Sequence, residues 1–317
     1  MEEEENIIQT HNLSKEFNGR VVVQAVSFYV PEGTIFGFLG PSGSGKTTTI
    51  RMLTGYYRPT SGDVRVLGRS PEEFTRLERE KIGYLPQLFG LYPDLTVWEN
   101  LNFAASIYGL PMLRRKRLSQ ILEFVEMKGE SNKLARQLSG GMQRRLNLAA
   151  MLVHDPDLIF LDEPTAGVDP VLRRKFWDHF RELQAQGRTL FITTQYVSEA
   201  AYCDLVGVID HGRLVSLNTP AVLRYQAFGG DLLDLCTSDP LDYDSLQAIN
   251  ALPFVLAPAQ RRDDYCVRLV VEEANTDMPA LLDWARERGL KIESLEEYQP
   301  PFDDVFVELV KKEVNNA

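Results

Sequence analysis

No stretch of this 317-residue sequence approaches the roughly 20 consecutive apolar residues that a bilayer-crossing helix needs. Met1 is followed by four glutamates, the opposite of a signal peptide's basic start, so the chain is expected to be neither exported nor membrane-spanning by itself. Positive charge is short: 34 Lys plus Arg face 45 Asp plus Glu, a net −11, which makes nucleic acid a poor first partner. There are four histidines (His11, His154, His179, His211) in no spaced cluster, and no metal site follows from them. Only three cysteines occur, Cys203, Cys236 and Cys266, with no CxxC and no zinc-type spacing. They are expected to be reduced thiols in a cytoplasmic protein, each acting as a small buried hydrophobe. Repeats and low-complexity tracts are also lacking. What is present, 44% hydrophobic and 25% charged residues, is ordinary for a globular chain and excludes collagen-like, mucin-like and wholly disordered classes.

The charge is unevenly placed. Residues 1–230 hold 26 basic and 26 acidic side chains, whereas 231–317 hold 8 and 19. That shift coincides with Phe228-Gly229-Gly230-Asp231, a plausible linker, so the expected domains are 1–230 and 231–317. The acidic start reads as a solvated, mobile terminus.

In the first segment, short apolar runs alternate with longer amphipathic stretches, the pattern of βα units around a largely parallel sheet. Thr34–Leu39, Leu158–Leu161 and Thr189–Ile192 read as strands buried on both faces. Each is followed by polar residues, where open α/β sheets bind ligands. From about 88 to 150 the pattern is mainly helical: Thr96-x-x-Glu99 is a capping box, and Leu118, Ile121, Leu122 and Val125 recur at helical spacing. A helical subdomain is therefore expected inside the sheet domain. His211-Gly212 reads as a hairpin turn between 206–210 and 213–217. Arg114-Arg115-Lys116-Arg117 reads as a solvated helix face in preference to a nucleic-acid or targeting patch.

Two motifs carry chemistry. Gly40-Pro41-Ser42-Gly43-Ser44-Gly45-Lys46-Thr47, followed by Thr48, fits G-x-x-x-x-G-K-[ST] between a strand and a helix. Its glycines let successive N–H groups point inward at a helix N-terminus, an anion nest. Lys46 would reach the β- and γ-phosphates, and Thr47 would offer its hydroxyl to Mg²⁺. Secondly, Leu158–Leu161 ends in Asp162-Glu163. Alternation along a strand aims the two carboxylates differently, Asp162 to Mg²⁺ and Glu163 to an attacking water.

Leu138-Ser139-Gly140-Gly141-Met142-Gln143 resembles the signature motif of ATP-binding cassette (ABC) ATPases, a second anion receptor at a helix start. The resemblance covers residues 7–228 strongly and implies a phosphate-loop NTPase sheet domain with an inserted helical subdomain. It implies ATP and Mg²⁺ as ligands, and head-to-tail pairing with a second ABC cassette, identical or not, so that each ATP lies between one phosphate loop and the partner's signature motif. Position by position it further implies that Gln87 senses Mg²⁺ and the attacking water, and that Asp169 lies at the dimer seam. Phe17 matches the aromatic that stacks on adenine, although by itself it reads as a core aromatic. One position departs: where the family usually has a histidine, this chain has Gln195, which can hydrogen-bond but cannot become cationic. Glu163 as base with Gln195 orienting water or phosphate is the expected machinery, with slow but real hydrolysis.

The tail reads as strand, helix, strand, strand, helix, strand and a last helix over 232–317, resembling a ferredoxin-like α+β unit with a regulatory, dimerising or docking role. Pro240 fits a first helical turn and Gly289 a helix C-terminal cap. Pro300–Phe306 resembles the terminal segment of cassettes that power drug-resistance and polysaccharide or lipid exporters. The resemblance thus implies a peripheral ATPase on the cytoplasmic face of the cell membrane, docked through the helical subdomain near Gln87 to Asn100 on separate integral membrane permease subunits. Its alternatives are a soluble ABC ATPase or an ATP-dependent switch in a non-transport process.

Overall fold

A computed structural model of the chain describes residues 6–87 and 90–316. The acidic start read as a mobile terminus, and residues Leu88 and Phe89 of the expected docking segment, lie outside the described residues. The chain divides into two units, Met1–Leu217 and Asn218–Ala317.

The first unit opens with β1 (Asn6–Phe17) and β2 (Arg20–Pro31), a hairpin turned at Asn18-Gly19, where both residues have positive φ. Then come β3 (Ile35–Leu39), α1 (Lys46–Leu53), β4 (Ser61–Val66), α2 (Arg76–Lys81) and β5 (Ile82–Leu85). Three helices follow, α3 (Val97–Ile107), α4 (Arg115–Phe124) and α5 (Gly140–Leu152), before the chain returns as β6 (Leu158–Asp162). It ends with α6 (Pro170–Ala185), β7 (Thr189–Thr194), β8 (Leu205–Asp210) and β9 (Arg213–Asn218). Strands β2-β1-β4 make an antiparallel sheet, and β5-β6-β7-β3-β8-β9 a six-stranded one in which every pairing from β5 to β8 is parallel.

Every residue of β3, β6 and β7 is buried, as strands covered on both faces require. Phenylalanines seal the two sheets together: Phe28 of β2 stacks on Phe36 of β3 at 5.4 Å, and Phe36 stacks on Phe191 of β7 at 5.0 Å. The helical insertion starts on a complete capping box, with Glu99 N donating to Thr96 Oγ1 and Thr96 N to Glu99. Leu118, Leu122 and Val125 are buried as their spacing indicated. The His211-Gly212 turn is as read, with both residues at positive φ.

Four sequence expectations fail here. Arg114 is not on a solvated face: it is 6% exposed and bonded to Asn102 and to the Leu110 carbonyl, and Arg117 is half-buried, its Nε donating to Val153 O at 2.6 Å. Only Arg115 and Lys116 of that cluster face water fully. The boundary lies at 217/218 instead of 230/231, because α7 (Pro220–Phe228) packs on the C-terminal helix α10 (Phe302–Asn316), with the Arg224 guanidinium 4.2 Å over the Phe302 ring. Gly229, at φ +78°, caps α7 directly into the next strand, so the glycine pair is a turn and not a linker. The other two failures concern Pro240 and the cysteines of the second unit.

That unit continues as β10 (Asp231–Thr237), α8 (Tyr243–Asn250), β11 (Val255–Arg261), β12 (Cys266–Val271), α9 (Ala274–Glu287) and β13 (Ile292–Glu297). The sheet order is β11-β12-β10-β13 with all pairs antiparallel, a split βαβ topology in which each crossover skips one strand. Leu233, Leu235, Val267 and Leu269 bury against Ile249 of α8 and Leu281 of α9. Gly289 follows α9 at φ +71°, as a cap should. Pro240 does not enter a helix; Asp242 is the α8 N-cap, accepting from Ser245 N at 2.8 Å. Cys236 and Cys266 are not free thiols: they stand opposite each other in the β10–β12 register, Cα atoms 4.2 Å apart, and are joined as a disulfide. Their spacing in sequence carried no trace of that register. Cys203 is free and buried, and burial pushes its thiol pKa up, as expected of a small buried hydrophobe.

Candidate active site

Strands β5, β6, β7 and β3 are neighbours, and the segments leaving their carboxyl ends converge at the switch edge of the sheet. A cleft of about 210 Å³ opens there, bounded by Ser42, Gly43, Gly45, Lys46, Thr47, Thr48, Gln87 and Glu163, with Val22 from β2.

The phosphate loop leaves β3 pressed against β8. A side chain on Gly40 would meet the Ile209 carbonyl oxygen at 2.1 Å, so only glycine fits. Gly45, at φ +107°, turns the chain into α1 through a conformation that side chains disfavour, and Gly43 is also left-handed at φ +81°. The β8–β9 turn braces the loop from outside, Gly212 N donating to Ser44 O at 3.0 Å. Lys46 Nζ donates to Gly40 O at 2.8 Å and Pro41 O at 2.9 Å and lies 3.4 Å from Glu163 Oε1. Burial pushes the Lys46 pKa below the usual lysine value, while Glu163 and Asp162 oppose that shift. The Ser44 hydroxyl is buried in the loop without a partner. The loop therefore offers a curled backbone, an ammonium held by its own carbonyls and an unused hydroxyl, a fit for a polyphosphate.

Asp162 and Glu163 do not diverge by strand alternation. Asp162 ends β6, and Glu163, at φ +50°, sits in the left-handed region; Glu163 lines the cleft, and Asp162 lies buried behind Thr47. Asp162 Oδ1 accepts from Thr47 Oγ1 at 3.0 Å and from Thr193 Oγ1 at 2.8 Å. Glu163 Oε2 accepts from Gln87 Nε2 at 3.2 Å, and Glu163 N donates to Thr193 Oγ1 at 3.0 Å. One β7 hydroxyl thereby holds the side chain of one carboxylate and the backbone of the other.

A Mg²⁺ ion brought in on a nucleotide takes phosphate and water oxygens plus one or two from the protein. The Thr47 hydroxyl and Asp162 carboxylate, already 3.0 Å apart, form such a pair, and they fit the ion. No group of three or more His, Cys, Asp or Glu that could hold a metal by itself exists among the described residues.

Of the remaining residues singled out from the sequence, Gln195 follows β7 and accepts from Ser42 Oγ at 2.9 Å, which ties it to a cleft residue although it does not itself line the cleft. Phe17 is 37% exposed at the end of β1, edge-on to Tyr57 at 5.2 Å, with Lys15 Nζ 5.1 Å from its ring centroid; it is a surface aromatic, not a core one. Ser139 caps α5, accepting from Met142 N at 3.3 Å, and Gly140 and Gly141 form the helix's first turn. Asp169 caps α6, accepting from Val171 N and Leu172 N at 3.0 Å. None of Phe17, Ser139, Gly140, Gly141 and Asp169 lines the cleft.

Two participants escaped sequence reasoning. Thr193 is the hydroxyl between the carboxylates. Arg144 on α5 is 5% exposed, and its guanidinium donates to Gln87 O at 3.0 Å, Glu163 O at 3.2 Å and Ala166 O at 3.2 Å. Burial lowers its pKa while Glu163 opposes. Its position immediately after Gln143 was the sole available signal.

Residues 23–166 match the family model described as ABC transporter. The chain is 40% identical over 224 residues to the probable multidrug ABC transporter ATP-binding protein YbhF of Escherichia coli, a match spanning 70% of this chain but only 39% of that protein's length. It is 38% identical over 258 residues to the Nod factor export ATP-binding protein I of Ralstonia nicotianae, spanning 81% of this chain and 78% of the relative. Among solved structures, cbiO1 of Clostridium perfringens, part of the ABC transporter complex cbiONQ, aligns with a TM-score of 0.64 at 25% identity over 79% of this chain and 97% of its own. Among the described residues no helix is long and apolar enough to cross a membrane. Signature motifs, cleft geometry and relatives agree, and the chain belongs to the ABC transporter family of ATP-binding, ATP-hydrolysing proteins.

Proposed function

We propose that the chain is the ATP-hydrolysing subunit of an exporter, that it works as a head-to-tail pair with a second cassette, and that it drives separate membrane-spanning subunits from the cytoplasmic face of the membrane. The observation that carries this reading is an incomplete site. Lys46, Thr47, Glu163 and Gln87 line one cleft, with Asp162 buried behind it and bonded to Thr47, while Ser139 and Gly140 stand exposed at a helix start outside it. A second anion receptor with no use in its own chain serves a partner's nucleotide. Export is favoured by relatives named for multidrug and Nod factor export.

In this reading the phosphate loop and Lys46 take the β- and γ-phosphates. Thr47 and Asp162 would hold Mg²⁺, which when bound would supply neutralisation of charge on the phosphates. As Lys46 turns to phosphate oxygen, its contact with Glu163 loosens. The Glu163 carboxylate, still oriented by Gln87, then takes a proton from water attacking the γ-phosphorus. Gln195, tied to Ser42, orients the γ-phosphate or the water. Phe17 stacks on adenine, and Asp169 and Ser139–Gly141 line the seam with the second cassette.

Glu163→Gln tests it: ATP binding and pairing should persist while turnover falls on the order of 10²- to 10⁴-fold. Unchanged turnover would remove Glu163 as base. Co-purification in gentle detergent should recover a membrane-spanning partner. Gln195 favours one second reading, an ATP-dependent switch with little hydrolysis; single-turnover hydrolysis at background rate in the assembled complex would establish it instead.

A further inference from the structure

The link between α3 and α4 holds large apolar side chains in water. Leu113 is 100% exposed, Met112 88%, and Ile107 at the end of α3 67%. Scattered single apolar residues need no explanation, but three gathered on one tip do. Nor is the tip loosely held. Arg114 is buried, and its guanidinium donates to Asn102 Oδ1 at 2.7 Å, Asn102 O at 2.9 Å and Leu110 O at 3.0 Å. The backbone adds Gly109 N to Ser106 O and Leu110 N to Ala105 O, both at 3.0 Å. A buried cation thus pins the link to α3 and keeps Met112 and Leu113 outside.

The two residues that follow, Arg115 and Lys116, are exposed, and their side chains have no hydrogen-bond or ion-pair partner among the described residues. No acidic residue occupies the first turn of α4. Cations at that end of a helix oppose its dipole, so nothing in the fold itself favours them there. The tip combines protruding apolar groups with unneutralised positive charge. This is the chemistry of the boundary of an anionic bilayer, where acyl chains accept the apolar groups and lipid phosphates the cations. Because the chain carries net −11, attraction to such a surface must be local, acting within about one Debye length of ~8–10 Å.

We propose that Ile107, Met112 and Leu113, together with Arg115 and Lys116, form a contact for anionic lipid that seats the cassette on the membrane surface without a protein partner. This goes beyond the ATPase reading and is tested apart from it. The purified full chain is floated with phosphatidylcholine vesicles and with vesicles also containing phosphatidylglycerol. The chain should float with the anionic vesicles and not with the neutral ones. Met112→Ser with Leu113→Ser, and separately Arg115→Ser with Lys116→Ser, should each lower partitioning on the order of tenfold or more. About 0.5 M salt should reproduce the loss of the cations. Nucleotide binding by both variants should stay at the wild-type level, which shows that the fold survives.

Equal flotation on both vesicle types, no flotation, or variants that float like wild type would each overturn the proposal. So would binding confined to vesicles carrying a membrane protein, which would assign the tip to protein docking. Loss of nucleotide binding by the wild-type chain would sink the ATPase reading and leave this one intact.

Discussion

Ser42 Oγ donates to Gln195 Oε1 at 2.9 Å, joining the phosphate loop to the residue that follows β7. A histidine here would titrate near neutral pH, whereas an amide keeps one state at every physiological pH. The pH profile of kcat/KM should therefore show no inflection from residue 195. Gln195→His should introduce one near pH 6.5. Ser42→Ala, which removes a single neutral hydrogen bond, should lower kcat by up to about tenfold. A wild-type profile already inflected there and flattened by Gln195→Ala would contradict this.

Arg144 makes a second prediction. It reaches from the helix that starts at Ser139 to three carbonyls on two other segments, Gln87 after β5 and Glu163 and Ala166 after β6. Lysine presents a point charge in place of a planar fork and cannot serve all three. Arg144→Lys should thus lower kcat more than it raises KM for ATP, with a modest loss of stability. Arg144→Ala, which abandons three buried carbonyls, should cost about 2–4 kcal/mol in denaturant unfolding. Equal losses in kcat and ATP affinity for Arg144→Lys would argue for a role in nucleotide binding instead.

His154 supplies the pH dependence of stability. Its Nε2 faces the Ile82 carbonyl at 3.0 Å, so the hydrogen is on Nε2; Nδ1 is buried without a partner, and the ring stacks on Tyr108 at 3.6 Å. Protonation would add a buried donor with nothing to accept it, and burial accordingly pushes the pKa below 6.5. Above that value both folded and unfolded states are neutral, and the native stability is fully present. As pH falls below it the unfolded chain binds the proton first, so stability is lost, at up to about 1.4 kcal/mol per pH unit. Urea unfolding between pH 8 and 5 should show this, and His154→Gln should flatten it. His179, also lowered by burial, leaves a residual slope. Matching slopes in wild type and variant would exclude His154.

How far the site could be read from sequence depended on the reach of each constraint. Gly40, Gly45, Lys46 and Thr47 act within one turn, so their spacing alone revealed the cradle, and Thr96-x-x-Glu99 revealed a helix start for the same reason. Strands β3, β6 and β7 were visible because burial on both faces leaves an unbroken apolar run. Thr193 and Arg144 were not visible, since each acquires its role only when β7 lies beside β6 or when α5 crosses the end of the sheet. Arg114 was misjudged because four consecutive basic residues look alike until a helix decides which one turns inward. The φ of Glu163 was missed because a strand pattern does not report the residue at which the strand stops.

The Cys236–Cys266 bridge is the hardest test of long-range register. It ties β10 to β12 across a separation of 30 residues, both ends within the second unit. Closing a loop of that length should stabilise by about 3–4 kcal/mol through the unfolded chain. Reduction, or Cys236→Ser, should therefore shift unfolding of the C-terminal unit to lower denaturant while ATP turnover stays near wild type, because no cleft residue comes from this unit. Thiol titration in denaturant provides the direct check. The bridged chain should show one reactive thiol, Cys203, and the reduced chain all three. Three thiols in protein handled in air would mean that the β10–β12 register holds without the bond, and the stability difference on reduction should then vanish.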